Sequence, residues 1–269
     1  MDKTKKYERI WILIIMIYLL IPLAITMVYS MFQKWTKVLP EKFSLSGYGA
    51  VFSDKLFLYA VIRSIVMCII PIAVTTVIVL LALFVAFVYF PGLKKFIQMI
   101  CMIPYSIQGV ILSVSILSFY VSVNNIFSNR YMMLCGAYCV IILPYMFQGI
   151  YNGMNAIEMS TLMESAQMLG AGGMYAFFRV IVPNIATSIF VSALLAMGII
   201  FGDYVLVRNL TGTAFENMQI YLYQIMKTDS VKASAVFVII MMITFCITAA
   251  VFSLKGKERI GHHKKRGRK

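Results

Sequence analysis

The residues of this 269-residue chain that could do chemistry are few and scattered. Cys135 and Cys139 stand one helical turn apart and could share a metal ion, but no acid or histidine is near them in sequence, so they read as small packing residues. The two histidines, His262 and His263, lie in a basic tail. No G-x-x-x-x-G-K-[ST] phosphate loop occurs, and no apolar segment holds a histidine or a pair of acids. These patterns point to no catalytic residue, no metal and no cofactor. What remains is a set of uncharged polar side chains inside apolar segments: Ser106, Gln108, Ser113 and Ser115; Tyr145, Gln148 and Asn152; Ser188 and Ser192. Such groups either pair between helices or line a path for a solute. The serines are read as bonding their own helix backbone, while Gln108, Tyr145, Gln148 and Asn152 are candidates for a path. Asp203 and Arg208 follow the fifth apolar segment; they either bond each other or, with Asp203 foremost, face the path.

The elements that must position these residues are membrane spans. Hydrophobic residues make up 61% of the chain and charged ones 13%, with mean hydropathy +0.88, more apolar surface than one soluble core can hide. Charge-free runs imply six helices, near 10–32, 62–90, 97–120, 131–152, 177–202 and 233–254. Each approaches or exceeds the roughly 20 residues that cross a bilayer. The fold class is therefore all-α, a multi-pass membrane protein surrounded by lipid. The first run follows Lys3, Lys5, Lys6 and Arg9, but it is too long for a signal-peptide core and offers no small-residue cleavage site, so it is read as a span.

A net charge of +14 raises the possibility of nucleic acid, and the tail 255–269 would be its site. Position argues against that. Basic residues beside spans mark the cytoplasmic face, which places segment 1–9, the turn at Pro91–Lys95 and the tail inside. With Arg179, at the start of the fifth span, fifteen of the 24 lysines and arginines fall on the proposed inner side.

Between the fourth and fifth spans lies a polar passage that opens on acids and closes on Pro183. Met159, Leu162, Met163, Ala166 and Leu169 repeat at helical spacing on one face, and Ser160, Glu164 and Gln167 line another. A short surface helix near 156–170 is expected, with Asn155-x-x-Glu158 or Thr161-x-x-Glu164 as its capping box. Gly170 should end it in a left-handed conformation, and Gly172-Gly173 should turn the chain towards the next span. Interfacial helices are usually rich in lysine and arginine, yet no basic residue occurs between Arg130 and Arg179. An acidic, methionine-bearing helix suits a groove on another protein better.

The spacing Glu164, Ser165, Ala166, Gly170, Ala171, then Phe177, Val180, Val182 and Pro183 resembles the EAA signature of binding-protein-dependent ABC importer permeases. Ser165 replaces the middle alanine and Val180 the usual isoleucine. "CMIPYSIQGVIL" from Cys101 and "FGDYVLVRNLTG" from Phe201 are similar to the polyamine-type branch, although Gly202-Asp203 stands where that branch often has paired acids. The resemblance implies six spans and a coupling helix that docks on a separate ATP-hydrolysing subunit, two copies of which serve each complex. It also implies a second, homologous or identical, permease subunit and an extracytoplasmic solute-binding protein. Carbohydrate, thiamine or ferric-ion import are the alternatives within the family. An intramembrane enzyme or a scaffold without an ATPase is the alternative outside it.

Overall fold

The computed structural model describes residues 2–34, 41–90, 92–107, 109–121, 129–212 and 215–266. Helices α1 (Asp2–Tyr29), α3 (Lys55–Val88), α6 (Arg130–Ala156) and α13 (Ser230–Arg266) dominate the described chain. Each contains a stretch long and apolar enough to cross a membrane. Two further segments qualify only as bent pairs: Leu93–Ser106 with Gly109–Phe119, at 97°, and Gly173–Asn184 with Ala186–Phe201, at 66°. The third and fifth expected spans are thus broken, and the described residues hold four candidate spans, or up to six when each pair counts as one.

Both breaks have local causes. In the first, α4 (Leu93–Met102) tightens into a 3₁₀ turn at Ile103–Ser106 containing Pro104; Ile107 then extends at φ −100°, ψ 111° before α5 (Gly109–Val121) begins. In the second, α8 (Gly173–Ala176) widens into a π turn at Phe177–Ile181 and continues through α9 (Val182–Asn184) to α10 (Ala186–Phe201). Pro183 has no N–H to donate. The Asn184 side-chain amide donates to the Val180 carbonyl at 2.8 Å, supplying a bond where the regular ladder is interrupted.

The residues divide into two compact units, 1–61 with 221–243, and 62–220 with 244–269. In the first, α1 leaves its apolar residues from Trp11 onward exposed, none of its central window being buried, so lipid or another apolar surface must surround it. A short antiparallel pair, β1 (Phe32–Lys34) and β2 (Glu41–Phe43), follows with Phe32 opposite Phe43. The all-α expectation did not include it. Beyond it come α2 (Ser46–Phe52) and a polar knot at Asp54, whose carboxylate accepts from Lys232 Nζ at 2.6 Å, Tyr221 OH at 2.7 Å and the Leu56 amide at 2.9 Å. Tyr221 lies on α12 (Met218–Ile225).

The Lys232 hydrogen bond foremost, with those from Tyr221 and Leu56, holds the Asp54 carboxyl below its ordinary value of 3.8, against an opposing effect of burial. A depressed carboxyl contributes stability above the unfolded-state value and loses it as pH falls through the folded one. Asp54→Asn should therefore lower stability at pH 7 by about 1–3 kcal/mol. The difference from the parent should shrink as pH falls below the ordinary carboxyl value of 3.8 and through the lower folded-state one, where the parent carboxyl becomes protonated too. Thermal unfolding of the two proteins in detergent across pH 3–8 reads this directly; a pH-independent gap removes the ion pair as its cause.

In the second unit, α6 and α10 pack closely. Leu134, Ile142, Met146, Ile150 and Met154 of α6 are fully buried, as is Ala196 of α10. The approach depends on Gly149 and Gly153. A Cβ on Gly149 would overlap Ser192 Oγ, and one on Gly153 would come within 2.6 Å of both Ser188 Cβ and Oγ. Ser192 Oγ donates to the Ser188 carbonyl at 2.7 Å, the backbone-bonded serine expected from the sequence.

Candidate functional site

The polar passage forms α7 (Met159–Met168), at about 1.5 Å per residue a rod some 15 Å long. Met159 and Met163 bury their side chains, 2% and 6% exposed, and hold it against the rest of the second unit. Ser160, Glu164 and Gln167 lie on the exposed face, as their spacing predicts. Neither expected capping box forms. Because α6 stays helical through Asn155 and Ala156, the break falls at Glu158, which turns the chain in a left-handed conformation at φ 49°, ψ 56° and makes no side-chain cap bond. Thr161 is already inside the helix.

The C-terminus follows its sequence. Gly170 stands at φ +84°, its amide donating to the Gln167 carbonyl at 2.9 Å, while the Ala171 amide reaches back to the Ala166 carbonyl at 3.1 Å. These two bonds make a Schellman cap, with glycine where a side chain would be strained. Gly172 instead has an ordinary extended backbone, φ −64° and ψ 148°, so the sharp turn belongs to Gly170. Leu169, expected on the buried face, is 89% exposed because the helix ends before it and the cap swings it outward; Met168 is exposed equally. Ser165 is exposed and its hydroxyl donates to the Thr161 carbonyl at 2.8 Å. Ala166 and Ala171 are half-buried, and Pro183 is exposed at the start of α9. Phe177, fully buried, packs its ring 4.8 Å from that of Phe84 on α3 and ties the exit of the passage to the membrane helices. The exposed side of the passage thus carries an acid, several uncharged polar side chains and the bare apolar side chains of Met168 and Leu169, on a helix closed at its C-terminus by the Gly170 cap.

The polar side chains at membrane depth separate into two groups. Tyr145, Gln148 and Asn152 fall on one stripe of α6 at spacings of three and four; Tyr145 is half-buried and the two amides are exposed. Gln108 lies outside the described residues. Asp203 does not join the stripe. Its carboxylate accepts from Tyr138 OH at 3.1 Å and from the Leu206 amide, in the first turn of α11 (Val205–Thr211), at 3.2 Å. Arg208, the other expected partner of Asp203, is exposed, and the one ion pair among the described residues joins Lys232 to Asp54. A buried tyrosine on α6 satisfies the acid in its place. Tyr105 carries no signal in the sequence beyond its place beside Pro104, yet its ring stands 5.0 Å from that of Tyr145, edge to face.

Residues 58–254 match the family model described as "binding-protein-dependent transport system inner membrane component". The chain belongs to that family. Its members are transport permeases rather than enzymes, and this one is a multi-pass inner-membrane permease subunit of an ABC importer. Among curated proteins it is 24% identical to the spermidine/putrescine transport system permease protein PotC of Haemophilus influenzae, over 243 residues that cover 88% of this chain and 93% of that one. Among solved structures, the permease fold is shared with a bacterial ABC transporter involved in the import of the acidic polysaccharide alginate. There the TM-score is 0.59 and the identity 18%, over 96% of this chain and 99% of the other. A second structure, a bacterial alginate ABC transporter in complex with an alginate pentasaccharide-bound periplasmic protein, aligns at TM-score 0.58 and 16% identity over 92% and 94%.

Proposed function

We propose that this permease subunit carries a polyamine-like solute, delivered by an extracytoplasmic binding protein, along a path formed with a second permease subunit, homologous or identical. Two copies of a cytoplasmic ATP-binding subunit drive it, one on the α7 helix of each permease. ATP draws the two ATPases together, the docked helices carry that movement into the membrane, and the path alternates between its inward-facing and outward-facing states. Both termini lie in the cytoplasm, and the two bent helix pairs each make one span, giving six. The observation that carries this reading is the exposed face of α7: an acid at Glu164, no basic residue, and a glycine-capped end at Gly170. It fits a protein groove better than an anionic lipid surface.

The polyamine preference is supported by the relatedness to PotC over nearly the whole chain. Carbohydrate is the second reading, favoured by the sequence having no acid between Asp54 and Glu158 to balance a cationic solute. The test has two arms. Purification of the tagged permease from its own cells should bring down a P-loop ATPase, and cells expressing the full transporter should accumulate labelled putrescine or spermidine in preference to maltose or iron citrate. A permease purified without any ATPase, yet fully active in uptake, would remove the coupling assignment. Uptake of maltose alone would transfer the solute assignment to the second reading.

A further inference from the structure

The α6 stripe raises a physical problem that its neighbours help to solve. Gln148 and Asn152 are exposed amides on a helix about half of whose spanning stretch is buried, and an unpaired amide facing hydrocarbon costs several kcal/mol. They must face water or another polar surface. One turn further from the cytoplasm, Tyr145 meets Tyr105, which sits in the 3₁₀ turn where the third span breaks and is 53% exposed. A broken helix at membrane depth is tolerated where it is buried in protein or lines a water-filled cavity, and half of the Tyr105 surface is left open.

Neither the run Phe96–Asn129 nor the run Tyr131–Ile157 contains a charged residue of either sign. A carboxylate here would hold a passing polycation tightly and stall it. Tyrosine ring faces attract an ammonium group at about 0.5–2 kcal/mol, and amide oxygens accept from its N–H donors. Several weak sites in succession let an ion enter and leave.

Building on the polyamine reading above, we propose that Tyr105 and Tyr145, with the Gln148 and Asn152 amides beyond them, form a transmembrane contact site for organic ammonium groups. It holds them by ring faces and amide oxygens, without a counter-charge.

The test uses the complete transporter in proteoliposomes, with saturating spermidine-loaded binding protein, and follows spermidine uptake and ATP hydrolysis together. Tyr105→Ala and Tyr145→Ala should each lower uptake about fivefold to tenfold, while ATP hydrolysis stimulated by the binding protein stays within twofold of wild type. Tyr105→Phe, which keeps the ring face and removes the hydroxyl, should retain at least half of the uptake. Alanine variants that transport as wild type overturn the site. A Phe variant as impaired as the Ala variant overturns the ring-face chemistry in favour of hydroxyl bonding. Alanine variants from which the second permease subunit dissociates make the stripe a subunit interface and also overturn it. A wild-type complex that moves maltose but no polyamine defeats the solute reading itself, and the ammonium assignment falls with it.

Discussion

Alanine at Gly149 or Gly153 is expected to separate α6 from α10 and to lower the yield of folded permease, although each change adds a single methyl group. Ser192 Oγ could rotate away from a new Cβ on Gly149, but Ser192 Cβ, 2.9 Å from it, could not. At Gly153 both Ser188 Cβ and Oγ lie 2.6 Å from the added atom, so the helices themselves must shift. Overpacking of this kind costs about 1–3 kcal/mol, and helices that associate through close backbone approach have little else to compensate it. Gly136, on the same helix, has no neighbour within 4 Å of its added Cβ, so Gly136→Ala should leave yield and thermal stability unchanged. The strongest form of the test is a rescue. Ser192→Gly should restore much of what Gly149→Ala loses, because the two changes act on one contact and are not additive. Monodispersity by size exclusion and the unfolding temperature in detergent report the outcome. Equal stability of Gly149→Ala, Gly153→Ala and Gly136→Ala would show that the helices do not depend on this approach.

The second large effect is expected at α7, through function rather than folding. Glu164→Lys reverses the charge of an exposed side chain, and nothing in the buried face of the helix depends on it. Gly170→Val places a β-branched residue at φ +84°; an added Cβ there meets no atom within 4 Å, so the penalty is backbone strain alone, about 1–2 kcal/mol. Relief of that strain would break the Ala171-to-Ala166 bond and redirect the chain between α7 and α8. Both variants should insert and accumulate near wild-type levels, lose at least about tenfold in uptake, and retain less of the co-purifying ATPase. Ser253→Ala, an exposed position on α13, is the matched control and should change none of these. Wild-type uptake together with normal ATPase retention in both α7 variants would return the helix to a passive place on the lipid surface.

The structure's departures from the sequence fall in a physical pattern. Residues whose conformation depends on near neighbours could be read ahead: the left-handed Gly170, the buried Met159 and Met163, the exposed Ser160, Glu164 and Gln167, and Ser192 bonded to its own helix. Where local signals competed, tertiary context overrode them. The Asn155 and Thr161 caps are individually sound, yet α6 is packed along its length and continues past the first, so one left-handed residue at Glu158 makes the turn. Pro183 reads in the sequence only as the close of the polar passage, within an unbroken span 177–202, and the bend there, its π turn and the Asn184 bond emerge only once the helix is built.

By itself the sequence determined the solvent, the class and the family signature. Charge-free runs of span length admit only lipid around them, and the Glu164–Pro183 spacing is a property of one continuous segment. Only the tertiary structure decided which remote groups meet. It joined Asp54 to Lys232 across 178 positions, gave Asp203 to Tyr138 instead of Arg208, set Gly149 and Gly153 against Ser192 and Ser188, and brought Tyr105 onto Tyr145. Helical periodicity names the face on which a side chain stands. It carries no information about which other helix that face will meet, because that choice follows from volume, bends and hydrogen-bond satisfaction summed over the whole packed unit.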